Sequence, residues 1–318
     1  MDELELSRRL REARPDLPER GDALNAAAEV TLRQITATPV PVARRRQPIY
    51  LSVAAAVAVI MAVTVGVFVS VRPAAVYAAV TPPLLELTPI DGTSKDLLMQ
   101  LSSNLEPNEE TNVIRFQSWA LALTVGETEN VESVAVEPEI RTITHTADGS
   151  RIEVRRGEPY DSLGNRLVVD GYQVGELVWE EEFRRGTFPF VFSEPPSEAA
   201  DYATFLQAPT DLADLTTGHY MRQLNVLLGE WVLTTQQTQA ALEFLATRQD
   251  LKLEGKVVDR LGRTGISFST ESRAPGQYID RVIVSDRGLG FLSFETTYVG
   301  NERPDVQAPA VVSYTAWE

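Results

Sequence analysis

His145 and His219 are the only two histidines in a chain of 318 residues, so any Ser-His-acid chemistry would have to be built around one of them. His145 stands just before a hairpin turn, where a solvated ring is expected. His219 opens a helix and borders its cap. Neither reads as a catalytic base or a metal ligand. Glu180, Glu181 and Glu182, between Trp179 and Phe183, suggest paired carboxylates. In a strand, however, Glu180 and Glu182 share one face and Glu181 takes the other. The run therefore reads as an acidic, solvated edge strand whose charges discourage pairing with a further strand. Asp259-Arg260-Leu261-Gly262-Arg263 reads as a turn with exposed arginines. No Asp-x-Asp-x-Asp-Gly loop and no Gly-rich phosphate loop occurs. The absence of cysteine excludes a lipobox, disulfides and thiolate zinc sites. No cofactor and no metal is expected, and an enzyme is the least expected class.

The remaining residues of interest are aromatic. Phe116, Trp119, Trp179, Phe183, Trp231 and Phe244 suit a concave apolar ligand pocket, if the fold brings them together. Their other reading is ordinary hydrophobic core.

The elements that would position them form two groups of strand-like segments around a helical block. Residues 112–125 mix β-branched and aromatic residues in alternation. Residues 139–145 meet 151–155 across Asp148-Gly149, and 166–169 meet 173–180 across Asp170-Gly171. Further on, 256–259 meet 264–270 across Gly262, and 279–285 meet 290–298 across Asp286-Arg287-Gly288. Asp-Gly between alternating segments signals an antiparallel hairpin, because the turn needs positive φ. Between the groups, 211–215, 220–231 and 235–246 read as helices. Tyr220, Leu224, Leu227, Leu228 and Trp231 form one buried stripe. Thr235 is the expected cap of a run whose Ala240, Leu242, Phe244 and Leu245 face inward. The fold class is α+β: an antiparallel curved sheet of hairpins with packed helices, half-barrel-like, as one sheet or two.

This domain, residues 91–318, follows three other parts. Residues 49–71 are uncharged and apolar; as a helix they would extend about 34 Å, enough to cross a bilayer core of ~30 Å. Arg44, Arg45 and Arg46 precede them and one arginine, Arg72, follows, which places residues 1–48 in the cytoplasm. A cleaved signal peptide is the competing interpretation, since Val76-Tyr77-Ala78 precedes Ala79. The polar stretch before the span is too long for a signal n-region and the apolar stretch too long for its core. The small-residue face at Ala54, Ala55, Ala56 and Ala58 would allow helix pairing. In the tail, 3–14 and 22–35 read as short helices separated by Pro15-Asp16-Leu17-Pro18. They suit either docking on a cytoplasmic protein or simple tethering. Residues 72–90, with four prolines, read as an extended stalk whose Leu84, Leu85 and Leu87 touch the domain. Nine arginines and eight acids give the tail a net charge of +1, so residues 72–318 carry −17 of the chain's −16. That charge repels nucleic acid and anionic headgroups.

Val80-Thr81-Pro82-Pro83-Leu84 soon after the span, Trp119 in a strand and Asp148-Gly149-Ser150 carry a family resemblance. So do Phe205-Leu206-Gln207-Ala208-Pro209-Thr210-Asp211 and Val258-Asp259-Arg260-Leu261-Gly262-Arg263-Thr264-Gly265. In order and spacing the chain resembles actinobacterial single-pass membrane proteins of uncharacterised function. Its layout resembles that of membrane anti-sigma factors, without the His and Cys of their zinc-binding type in the tail. The outer domain distantly resembles the half-barrels of LolA and RseB-type proteins, which implies an acyl-chain site between sheet and helices. The expected function is a plasma-membrane-anchored, extracytoplasmic domain binding a lipid-like ligand or an envelope protein and relaying that state inward. The alternative is a structural envelope scaffold with no small ligand.

Overall fold

Alternating sequences dominate the domain and build nine strands, laid out in a computed structural model that describes residues 79–107, 111–121, 135–303 and 305–318. The strands are β1 (Val113–Ala120), β2 (Glu139–His145), β3 (Gly149–Arg156), β4 (Leu177–Arg184), β5 (Lys252–Val258), β6 (Thr264–Thr270), β7 (Tyr278–Ser285), β8 (Phe291–Tyr298) and β9 (Ala310–Trp317). They form one open, curved sheet in the order β4-β3-β2-β1-β9-β8-β7-β6-β5, every neighbouring pair antiparallel. The helices are α1 (Ser94–Ser103), α2 (Tyr202–Gln207), α3 (Thr217–Leu228) and α4 (Thr235–Ala246). The described residues are thus α+β. The tail, the span with Arg44, Arg45 and Arg46, and residues 72–78 lie outside them. Among the described residues no helix is long and apolar enough to cross a membrane.

Helix starts follow side-chain chemistry. Thr234, one residue earlier than expected, caps α4: its hydroxyl accepts the Gln237 N–H at 3.2 Å, and Gln237 Oε1 accepts the Thr234 N–H at 2.9 Å. At α3, His219 Nδ1 accepts the Thr216 N–H at 3.3 Å, so this histidine borders the cap as expected. Burial, with Arg273 and Arg222 nearby, holds its pKa below the ordinary imidazole range. Residues 211–215 are not helical, and α3 ends at Leu228, leaving Trp231 in the α3–α4 connection.

The helices cover one face of the β5–β9 half. Phe268, Val282 and Phe294 from the sheet meet Leu224 and Leu227 of α3, Leu242, Phe244 and Leu245 of α4, and Leu98 of α1 in one buried core. These side chains pack the sheet against the helices.

The other face, the back face, carries charge. Arg281 donates to both Glu254 oxygens (2.6 and 3.0 Å) and to Glu295 Oε1 (3.2 Å). Arg260 Nε donates to Glu295 Oε2 at 2.8 Å. Arg260 and Glu295 side chains are only 8% and 1% exposed. The expectation of exposed turn arginines fails because the β5–β6 turn folds Arg260 back over β8. Arg263 turns inward as well, onto Asp259 Oδ2 and the Leu292 carbonyl.

Residues 79–90 are extended but do not stand away from the domain. Leu85 packs on Val257, Ile283 and Leu292 of the back face. Thr88 exchanges two backbone hydrogen bonds with Lys256 of β5 (2.9 and 2.8 Å), and Ile90 packs against the main core on the helix side. The segment is a strap around the β5 edge. Gly255 lets it pass: its φ is +138°, and a Cβ there would lie 2.2 Å from the Thr88 carbonyl oxygen.

The expected pairing of 166–169 with 173–180 does not form. Asp170-Gly171 is a turn, with Gly171 at φ +75°, but Val168 beside it is fully exposed and lacks an apolar face to join. The strand that follows pairs with β3 instead.

Candidate binding surface

Among the described residues the β1–β4 half of the sheet has no helix of its own on the helix face. Register places three rows there: Trp179, Val154, Arg141, Phe116 and Trp317; Glu181, Ile152, Ile143 and Ile114; and Phe183, Ser150 and His145. Their cover is thin. Phe188, Val232 and Trp317 pack on a small cluster of Ile114, Phe116 and Ile143.

The segment after β4 supplies most of that cover. It alternates as Phe188-Pro189-Phe190-Val191-Phe192, which lines its rings along one path. Ring centroids step from Phe183 to Phe188 (5.2 Å), to Phe190 (4.5 Å) and to Trp231 (4.8 Å). Each step falls in the range of attractive aromatic contact. The α3–α4 connection holds this segment by its backbone. Both Glu230 carboxylate oxygens accept the Val191 N–H (3.1 and 3.0 Å), and Oε2 also accepts the Phe192 N–H at 3.2 Å. Trp231 Nε1–H donates to the Phe192 carbonyl at 3.1 Å. Burial pushes the Glu230 pKa up to about 7, against the lowering effect of the two amide donors.

His145 lies within the tract rather than in solvent. Its ring is 4.9 Å from Phe188 and 5.2 Å from Phe190. Nε2 is 3.0 Å from the Glu230 carbonyl oxygen, which can only accept, so Nε2 carries the proton. Nδ1 lies 2.8 Å from the Ser150 hydroxyl oxygen, a second hydrogen bond of the ring. This resembles half of a nucleophile-base relay. Both ring nitrogens are nevertheless spent on joining β2, β3 and the α3–α4 connection, which is a structural role.

Of the six aromatic residues expected to line a pocket, the fold joins Phe183 and Trp231 through the new tract. Trp179 shares their face at the open edge and is 44% exposed. Phe116 is buried beside Trp317, their rings 6.1 Å apart. Phe244 is core, against Tyr220 (5.1 Å) and Tyr202 (6.0 Å). Trp119 is on the back face in a row with Tyr314, Glu295 and Arg281, because it is three residues from Phe116 and strand faces alternate. The six do not line a common pocket. Sequence reasoning missed Phe188, Phe190 and Phe192, whose period-two spacing was the available signal.

The tract is a surface rather than a chamber. Phe190 is 41% exposed. A cleft of about 220 Å³ opens beside it, lined by Val191, Phe192, Ser193, Phe205, Ala208 and Pro209. Among the described residues no cluster of three or more acidic or histidine side chains is placed to hold a metal ion. No protein-family model matches the chain, and no curated protein matches it.

Proposed function

We propose that the chain is a membrane-tethered recognition module whose domain binds a protein ligand of the cell envelope on its extracytoplasmic side. The observation that carries this reading is the aromatic tract, with Trp179 and Phe190 exposed at 44% and 41% over a half-sheet on which the described residues place no helix. Rings fixed by backbone bonds offer large apolar area at little entropic cost, as interface anchors do. The membrane assignment rests on residues 49–71 and Arg44, Arg45 and Arg46, and the domain's acidity argues against headgroup contact as the binding mode.

The filled core favours a second reading, an envelope scaffold with no small ligand, over an acyl-chain carrier. A photo-crosslinker at position 190 of the full chain in membranes separates them. A recognition module gives a discrete protein adduct that Trp179→Ala weakens and Val168→Ala, in the exposed loop, does not. Absence of any adduct supports the scaffold. Stoichiometric lipid retained by the full chain in native mass spectrometry would overturn both. The relay half of the proposal rests on residues 1–48: deleting residues 1–41 should remove a cytoplasmic partner or change transcription, and no change would refute it.

A further inference from the structure

The sheet has two ends, and the fold treats them differently. At β5 the strap closes the edge through Thr88. At β4, an eight-residue strand, nothing among the described residues adds to the ladder. The Arg185 N–H donates to the Asp148 carbonyl at 3.0 Å. Because inward and outward groups alternate along an antiparallel strand, Phe183, Glu181 and Trp179 address β3. Glu180 and Glu182 therefore direct both N–H and C=O outward, and Arg184 its N–H, its carbonyl being taken by the Thr187 N–H.

The charges on this edge select what can add. On the back face Arg151 bonds Glu180 at 2.7 Å and Glu153 at 2.8 Å and also feels Glu182; Glu153 is held by Arg155 as well (3.1 Å), so the two carboxylates of β4 on this face, Glu180 and Glu182, share the single guanidinium of Arg151. On the helix face Glu181 is in register with Ile152, Ile143 and Ile114 and has no cation in its row. A second copy pairing antiparallel about the middle of β4 would set acid against acid, which is repulsive.

We propose that the β4 edge is a docking site for an extended basic segment of a partner protein, added antiparallel as a tenth strand. The register defines its pattern. Residues opposite Phe183 and Trp179 are apolar and extend the aromatic tract, while the three between them, opposite Glu182, Glu181 and Glu180, are lysine or arginine. This rests on the recognition reading and names the chemistry of its partner.

The test uses the full chain in detergent and a labelled peptide with Ile-Lys-Arg-Lys-Val at its centre. A strongly acidic protein attracts any basic peptide, so the decisive comparison is N-methylation. Methyl groups on the second and fourth residues of the motif remove the N–H groups facing Glu182 and Glu180 and leave charge unchanged. They should weaken binding at least tenfold, while a methyl on the third residue changes it less than threefold. Glu180→Lys with Glu182→Lys should transfer preference to the acidic counterpart peptide; Glu181→Gln, a milder change, should lower affinity for the basic one severalfold. Equal affinity of all methylated forms, or no binding at low salt, would overturn the proposal. A surviving adduct from position 190 in that event would leave the recognition reading standing.

Discussion

Replacing Glu230 by glutamine isolates one buried charge whose cost has a defined pH window. Burial moves this carboxyl from 4.5 to about 7. Between those values the native state keeps a proton that the unfolded chain has released, so stability falls as pH rises through the window and levels off above it. At 1.36 kcal/mol per pH unit the full effect is about 3.4 kcal/mol; solvent screening of the half-buried group reduces it to about 1–2 kcal/mol. A glutamine side chain at this position would carry no charge and keep one oxygen for the Val191 and Phe192 N–H groups, with a pH-independent loss of about 1 kcal/mol of hydrogen bonding. The difference in unfolding free energy, Glu230→Gln minus wild type, should therefore rise by about 1–2 kcal/mol between pH 4.5 and 8. Urea unfolding of the full chain, followed by tryptophan fluorescence, measures it; Trp231 adjoins the site and bonds the same segment. Parallel stability profiles for the two proteins across that range would refute the reasoning.

Two further outcomes follow from the back face. Arg281→Met strips Glu254 of its bidentate partner and Glu295 of one of two, and should cost about 3–5 kcal/mol in urea unfolding. Adding Glu254→Gln should restore more than about 1 kcal/mol of that, a coupling that a merely steric effect of the methionine would not give. Gly255→Ala forces a Cβ against the Thr88 carbonyl at a positive φ and should cost about 1–3 kcal/mol. Hydrogen exchange at the Lys256 amide, which donates to Thr88, should accelerate with it; an unchanged rate would show that the strap does not depend on this crossing.

Local chemistry makes much of the fold legible. The Asp148-Gly149 and Asp286-Arg287-Gly288 turns mark real hairpins; the α4 residues Ala240, Leu242, Phe244 and Leu245 are buried as their spacing suggests, whereas of the α3 stripe Tyr220, Leu224 and Leu227 are buried, Leu228 is half-buried and Trp231 lies past the helix end. Strand β9 is not legible: Val311, Tyr314 and Ala316 are buried on the back face, but the register shift that skips Val312 puts an extra residue between Val311 and Tyr314 and breaks the period of two. Helix α1 escapes too, although Thr93 accepts the Asp96 N–H in an ordinary cap, because ten residues give little periodic signal. At the site, the aromatic residues are visible as a set, but their grouping depends on strand parity and on contacts far apart in sequence. Parity removes Trp119 from the helix face. The bond between Glu230 and Val191 spans 39 positions, and no spacing rule reaches that far. Arg260 reads as exposed in the sequence because its partner, Glu295, is 35 residues away.

The position of β9 governs when the domain can exist at all. Two meanders, β1–β4 and β5–β9, each assemble from neighbours in the chain, but they join along one seam of five registered pairs between β1 and β9, roughly 200 positions apart. Until Trp317 has been synthesised and freed, β1 has an open side and the two half-sheets have no strand pairing between them. Trp317 then acts as a latch: its ring contacts Phe116 on one half and Phe294 on the other, and its Nε1–H donates to the Leu228 carbonyl of α3. A ribosome that still holds this residue leaves the β1–β9 seam unpaired. The time between making β1 and releasing Trp317 is thus the interval in which the protein is most exposed to aggregation, and in which a chaperone has something to protect.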